Sequence, residues 1–442
     1  MTEAPKHSAV RWRIVALLTG FSLVSYLSRM NISVAQQYMA PEMGLSDIQI
    51  GQIFSAFMIG YALFQVPAGV WGDRRGPRLV LAAAAFSWGF LTILTGLLPG
   101  IVFKGAAAAF LSLLLIRFLL GVGEAATYPV AALAIGRWMP VREHAFSNAV
   151  VIAGATAGSA FTPPIVAALM QNAGWRASFY VTSLFSFVIA ALWWWQGKDR
   201  PEDHSGVAAS ELALIREGRS ATKSPGVEAD SWLTLFRSRN VLLLSLSYFF
   251  DSYTMFIFVF WLYKYLVDVR KFSLTDGGWA TSLPFVVATV MVPLLGWVSD
   301  RLSVRFGTLA GRRMTAMSCL VASGLLLFLG VGASSVWIAI AAICLSVGFI
   351  NSTEGPYWST AISLAGPHGG AAGGMMNMAG NLGGVACTSL VPVLVALVGW
   401  PNALASGTVA AGLGAVLWLL VRPGADDKAS PESHYSADAV RQ

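Results

Sequence analysis

Runs of predominantly apolar residues, each long enough to cross a bilayer as a helix, recur along this chain. They lie at about 12–38, 48–71, 79–98, 106–135, 146–170 and 177–196, then at about 240–266, 277–299, 313–332, 335–364, 371–397 and 400–421. A spanning helix needs roughly 20 such residues, so the pattern predicts an all-α integral membrane protein with twelve transmembrane helices in two sets of six. Composition agrees. Only 12% of the residues are charged, about half the share a soluble protein uses to clothe a wet surface. The 16 Trp and 44 Gly fit as well, because Trp favours membrane interfaces and Gly favours close helix contacts. The first run starts near Trp12 and is too long for the apolar core of a secretory signal, so it reads as the first span.

The runs divide the chain into a six-helix bundle over 1–196, a polar linker over 197–239, a second six-helix bundle over 240–422 and a disordered tail over 423–442. Orientation follows from Lys and Arg, which concentrate on the cytoplasmic side. With both termini cytoplasmic, 22 of the 29 basic residues fall on that side, among them Arg74, Arg75, Arg78, Arg301, Arg305, Arg312 and Arg313. The formal net charge of +7 is therefore a topology signal, and nucleic acid is not the expected partner. Cys319, Cys344 and Cys387 sit in apolar runs with no disulfide or metal-ligand spacing, and no metal is expected.

The two halves resemble each other. "GVWGDRRG" at 69–76 recurs as "GWVSDRLS" at 296–303, "AGATAG" at 153–158 as "AGNLGG" at 379–384, and Gly174-Trp175 as Gly399-Trp400. "EAATYP" at 124–129 aligns with "EGPYWS" at 354–359, at nearly the same offset. Such repeats are common in transporters. The segment Gly69-x-x-x-Asp73-Arg74-x-Gly76-x-Arg78 matches in full the loop signature of the major facilitator superfamily, which the whole chain resembles. In that setting Gly69, Asp73, Arg74, Gly76 and Arg78, with Asp300 and Arg301 in the second half, are expected to form a conformational latch made in only one rocking state.

Within the superfamily the chain resembles the anion:cation symporters, which include galactonate, glucarate and hexuronate carriers and sialic acid and vesicular glutamate transporters. The residues that carry this are "YLSRMNISVA" (26–35), "RFLLGVGEAATYPVA" (117–131), "RWMPVREHAFS" (137–147) and "NMAGNLGG" (377–384). The resemblance implies an electrochemically driven carrier of small organic anions. It also implies that the glutamate at 124 couples protons and that the arginines at 29 and 117 serve substrate binding and gating. Galactonate carriers have an aspartate just before the first of these arginines; here that place is Ser28, so a two-proton stoichiometry does not carry over.

Ionisable side chains at membrane depth are costly, at least about 2.5–3.5 kcal/mol each, and mark function by default. Arg29 lies mid-span in the first run. Arg117 and Glu124 lie two turns apart on one face of the fourth, a face expected to line a water-filled cavity between the halves. An Arg–Glu pair that only stabilises the bundle is the alternative. Two arginines and one carboxylate leave one positive charge for an anion to balance, and the planar guanidinium suits a carboxylate. The expectation is that Arg29 grips the substrate while Glu124 exchanges a proton and trades Arg117 as its partner. Asp251 and Glu354 are further candidates for proton coupling, each with a structural role as the alternative. Tyr26, Tyr61, Trp358, Asn377 and Asn381 are candidate pocket residues, with packing or helix–helix hydrogen bonding as the competing role.

Together these features predict a multi-pass protein of the bacterial inner membrane, acting as a monomer without cofactor and drawing on a proton gradient. Its cargo is a small organic anion, foremost a sugar acid such as an aldonate, aldarate or hexuronate. A proton-independent exchanger or facilitator and a transporter-like anion sensor are the competing functions. No nucleophile–base pair or cofactor motif suggests an enzyme.

Overall fold

A computed structural model describes residues 9–140, 143–216, 232–365 and 369–422. The tail 423–442 and residues 217–231 of the linker lie outside the described residues. Before the linker the chain runs α1 (Val10–Met43), α2 (Asp47–Arg75), α3 (Pro77–Leu97), α4 (Ala106–Glu124), α5 (Thr127–Trp138), α6 (His144–Ala173) and α7 (Trp175–Gln196). A short helix in the linker, α8 (Ala209–Arg216), is followed by α9 (Arg239–Phe260), α10 (Leu262–Asp268), α11 (Leu274–Phe306), α12 (Thr308–Gly332), α13 (Val336–Asn351), α14 (Glu354–Ala365) and α15 (Gly369–Leu420). α4 and α5 form one broken span, as do α13 and α14. α15 holds two spans bent at Gly399, where the backbone leaves helical geometry (φ 79°, ψ 167°). The membrane-crossing segments therefore number six on each side of the linker.

Backbone geometry repeats between the halves. Gly174 turns the chain at φ 80° and ψ 163°, nearly the dihedrals of Gly399. Gly76 (φ 83°, ψ 153°) and Gly307 (φ 92°, ψ 152°) turn the chain alike between the second and third spans of each half. Only glycine occupies these positive-φ positions without strain. Helix starts are fixed locally: Ser46 and Gln49 form a capping box on α2, and Ser273 accepts from the Asp276 backbone N–H at 3.1 Å on α11.

Within the first half α1 packs on α6, α2 on α4 and α3 on α7; in the second, α9 and α12 pack on α15. The halves meet through α2 against α15 and α6 against α11. Contact is tight at one end, the end of the 43–47 and 268–274 connections. There Phe54 stacks on Phe260 at 4.8 Å and meets Trp261 edge-on at 5.6 Å. Gln37 bonds Asp268 at 2.5 Å, Lys264 pairs with Asp47 at 3.3 Å, and Thr275 bonds Gln171 at 2.8 Å. Nearer mid-membrane, Ser55 meets Thr388 and Ser389 at 2.7 and 2.8 Å. Toward the opposite end the last polar link between the halves, among the described residues, is Gln65 to Asn377 at 2.9 Å.

This packing needs glycine at one contact: a Cβ on Gly51 would strike the Thr388 carbonyl oxygen and the Pro392 ring. Gly51→Val is expected to disfavour closure at this end and bias the protein toward the state open there. A cysteine placed at buried Ser55 should then react several-fold faster with an impermeant maleimide than in the parent. Unchanged reactivity would refute the assigned contact.

Candidate functional site

In the middle of the first half, α1 and the broken span α4–α5 run antiparallel and share a ladder of polar contacts. Ser22 meets the Tyr128 hydroxyl at 2.9 Å; Ser25 donates to Glu124 Oε2 at 3.0 Å; Arg29 Nη2 donates to the same oxygen at 3.2 Å. One rung further, Arg117 Nη2 donates to the Arg29 carbonyl oxygen at 3.1 Å. The register explains the ladder: 22, 25 and 29 recur at helical spacing on one face of α1. Glu124 is the last residue of α4, just before the break, so its side chain leaves the helix where the chain turns.

The ion pair is deeply buried, with Arg29 at 3% and Glu124 at 0% exposure. Three rings surround the guanidinium, with Tyr26, Phe57 and Tyr61 centred 4.8, 4.9 and 4.7 Å from its carbon. An aromatic face attracts a cation, more so where water is excluded. Phe57 also lies 5.4 Å from the Arg117 guanidinium, so one ring serves both cations. Two glycines make this possible. A Cβ on Gly60 would meet the Phe118 carbonyl, and one on Gly121 would meet the backbone at Phe57 and Tyr61, so α2 and α4 touch backbone to backbone.

Two expectations are corrected here. Glu124 pairs with Arg29 and not with Arg117: seven residues are about 10 Å of rise, beyond a direct contact, whereas α1 brings Arg29 alongside. Nor do Arg117 and Glu124 face open water: both are buried, and the Phe57 ring lies over the Arg117 guanidinium. Half-buried Tyr26 and Tyr128 form the exposed margin of the group. Ser28 is turned away toward α7, 3.5 Å from Ser186.

The second half carries acids on the equivalent elements and, among the described residues, no arginine paired with them. Glu354, the first residue of α14, accepts from the Tyr248 hydroxyl at 2.8 and 3.1 Å and from Trp358 Nε1 at 2.9 Å. Asp251 on α9 is buried and accepts from Thr353 Oγ1 at 2.8 Å. Asp251 and Glu354 lie within electrostatic reach of each other, and Tyr26 lies within reach of Glu354 across the gap between halves. The Trp358 N–H is thus engaged, leaving its ring face. Asn377 bridges the halves through Gln65, while buried Asn381 donates to the Asn377 carbonyl at 2.8 Å. Asn377 thus makes the helix–helix contact that competed with a pocket role, whereas the Asn381 bond stays within its own helix.

Sequence reasoning missed Ser25, Phe57, Tyr128, Tyr248, Thr353 and Gln65. Helical spacing offered a signal for some of them: Tyr128 is four residues after Glu124, and Ser25 four before Arg29.

Asp73, Arg74, Asp300 and Arg301 are exposed, and neither aspartate makes an ion pair among the described residues. Gly76 turns the chain beside Asp199, whose Oδ1 accepts from the Arg78 backbone N–H at 2.9 Å. The Arg78 guanidinium donates to the Trp194 carbonyl at 3.0 Å. Gly69 packs against Pro129 on α5.

The family model described as Major Facilitator Superfamily matches residues 18–388. The chain is 32% identical to a probable sulfoacetate transporter of Cupriavidus necator, across 96% of this chain and 98% of the other. It is 29% identical to a hexuronate transporter of Bacillus subtilis, across 86% and 87%. Against a D-galactonate transporter of Escherichia coli O6:H1 the identity is 28%, across 95% and 97%. A bacterial homolog of the human lysosomal transporter Spinster, solved inward-facing and unoccupied, superposes with a TM-score of 0.76 at 16% identity. That alignment covers 94% of this chain and 97% of the other.

Removing one partner of a buried ion pair costs about 3–5 kcal/mol because the other charge is left uncompensated. Arg29→Ala is therefore expected to destabilise the protein by about that much, and adding Glu124→Gln to recover most of the loss. Unfolding midpoints of both single variants and the double in detergent test this; strictly additive losses would show that the pair is not coupled.

Proposed function

We propose that this chain, which belongs to the Major Facilitator Superfamily, moves a small organic anion across the membrane together with protons. It is a multi-pass membrane transporter and not an enzyme. The observation that carries the anion reading is the charge of the buried triad: Arg29 and Arg117 against Glu124 leave one positive charge beside the margin formed by Tyr26 and Tyr128. The names of the relatives support it, since sulfoacetate, hexuronate and galactonate are all small organic anions.

Coupling follows from competition for Arg29. While Glu124 is ionised it holds the guanidinium; once protonated it releases that charge, and the planar fork becomes free to grip an anion. Proton and anion therefore load together. The basic residues at the open end, Arg74, Arg75, Arg301 and Arg305 among them, support an orientation with that end and both termini in the cytoplasm. The proton gradient is the only energy source required, and the Asp73 and Asp300 loops latch when the halves rock to close that end.

A sugar acid is the first substrate class. A short sulfonated acid is a second, favoured by the 32% relative and by the polar groups already engaged. Trp358 gives its N–H to Glu354 and Asn381 its amide to backbone, which leaves fewer donors for a row of hydroxyls.

Reconstituted into liposomes with an imposed inward proton gradient, the protein is expected to accumulate one of these anions. Galactonate, glucuronate, sulfoacetate and simple dicarboxylates make up the panel. Glu124→Gln should lose proton-driven accumulation yet keep exchange of labelled for unlabelled anion. Wild-type uptake indifferent to the proton gradient would replace this reading with an exchanger or facilitator.

A further inference from the structure

Glu124 raises a problem of access. Its carboxylate has no exposed surface, and the approach past Arg29 is closed by the Tyr26, Phe57 and Tyr61 rings. A proton taking that approach must also pass a fixed guanidinium of like charge. The other neighbours are hydroxyls. Oε2 accepts from Ser25, and Ser22, three residues earlier on α1, meets the Tyr128 hydroxyl. Tyr128 is half-buried and lies toward the open end. Oε1, fully buried, has no protein partner.

Resting on the reading of Glu124 as the coupling acid, we propose that Tyr128, Ser22 and Ser25 form the route by which protons reach Glu124. We further infer that they deliver the proton to Oε2, the oxygen that Arg29 holds. A hydroxyl both donates and accepts, so it relays a proton without net change. The Tyr128–Ser22 rung and the Ser25–Glu124 rung are one helical turn, about 5 Å, apart, a gap that a single water spans. In the relay the Ser25 O–H bond breaks as an O–H bond forms on Oε2. Ser25 regains a proton from the Ser22 side, and one proton in total moves from the open end to the carboxylate.

The delivery point is the mechanical part of the idea. Oε2 is shared between Ser25 and Arg29, so a proton arriving there neutralises the charge and occupies the position that the guanidinium grips. Proton arrival and release of Arg29 become one event at one atom. The ionisable groups around this event are Arg29 and Tyr26 on α1, Tyr61 on α2, Arg117 on α4 and Tyr128 on α5. The Tyr26 and Tyr61 hydroxyls meet the Arg29 guanidinium, whereas the Tyr128 hydroxyl joins the ladder through Ser22, on the carboxylate side of the pair.

Infrared difference spectroscopy after a pH jump tests the route on the purified full chain, without transport. The protonated-carboxyl band that disappears in Glu124→Gln reports the event. Ser25→Ala and Tyr128→Phe are each expected to slow the appearance of that band by about tenfold, the effect of roughly 1.4 kcal/mol on a barrier. Both variants should melt as sharply as the wild type; if Tyr128→Phe does not fold, Ser22→Ala carries the same test. An unchanged rate in these variants overturns the route while leaving Glu124 as the coupling acid. Absence of the band from wild type at every pH overturns both the route and the proton coupling on which it rests.

Discussion

The organisation of the first half depends on one ion pair, Arg29 with Glu124, held where water does not reach. Taking two charges out of water is expensive, and apolar residues of similar volume are often as stable or more so. Stability alone therefore does not account for the pair. The surrounding structure supports it: the close approach of α2 and α4 brings Phe57 and Tyr61 over the guanidinium, and Ser25 shares the carboxylate. Arg117 bonds the Arg29 carbonyl and ties α1 to α4 at the same level. These contacts reduce the cost of keeping the charges but leave them separable, as the proposed coupling requires.

The second half reuses the scaffold with the opposite electrostatic sense. Its broken span starts again at Glu354, as the first half breaks just after Glu124, yet hydroxyl and indole donors face Glu354 where an arginine faces Glu124. An anion between the halves is attracted by the surplus positive charge of one and repelled by Glu354 of the other whenever that acid is ionised. Under the proposed symport, neutralising Glu354 removes the repulsion, and anion binding and proton uptake favour each other on this side too. Asp251, buried behind it on Thr353, adds to the same field.

Much of this was legible in the sequence because it is written in periodicity and repetition. Apolar runs gave the spans, and the repeated Gly-Trp pairs fall on turns with nearly equal dihedrals at Gly174 and Gly399. The charged residues identified themselves by being costly where they stood. Pairing was not legible, since helical spacing relates residues of one helix and says nothing about which side chain a neighbouring helix brings alongside. Hence Arg117 was matched to Glu124 when Arg29 holds it. Phe57, Ser25 and Tyr248 carry no charge, and in a helix of similar residues only the packed structure distinguishes them.

The asymmetry between the two ends bears on how little is needed to move the carrier. At the closed end, the Lys264–Asp47 ion pair and the Gln37–Asp268 hydrogen bond are partly exposed, and an ion pair so placed contributes about 0–1 kcal/mol. The apolar contribution of Phe54, Phe260 and Trp261 is matched against whatever the opposite end buries when it closes. Asp73 and Asp300, the proposed latches, are likewise exposed, and ion pairs made there are weak in the same way. In the proposed alternating access, rigid halves cannot close both ends at once, so the two states trade the contacts of one end for those of the other. A system balanced in this manner is shifted by a ligand in proportion to its differential affinity for the two states. In the proposed mechanism, neutralising one surplus charge at Arg29 supplies such a difference, which lets the coupling reside in a few residues at the centre.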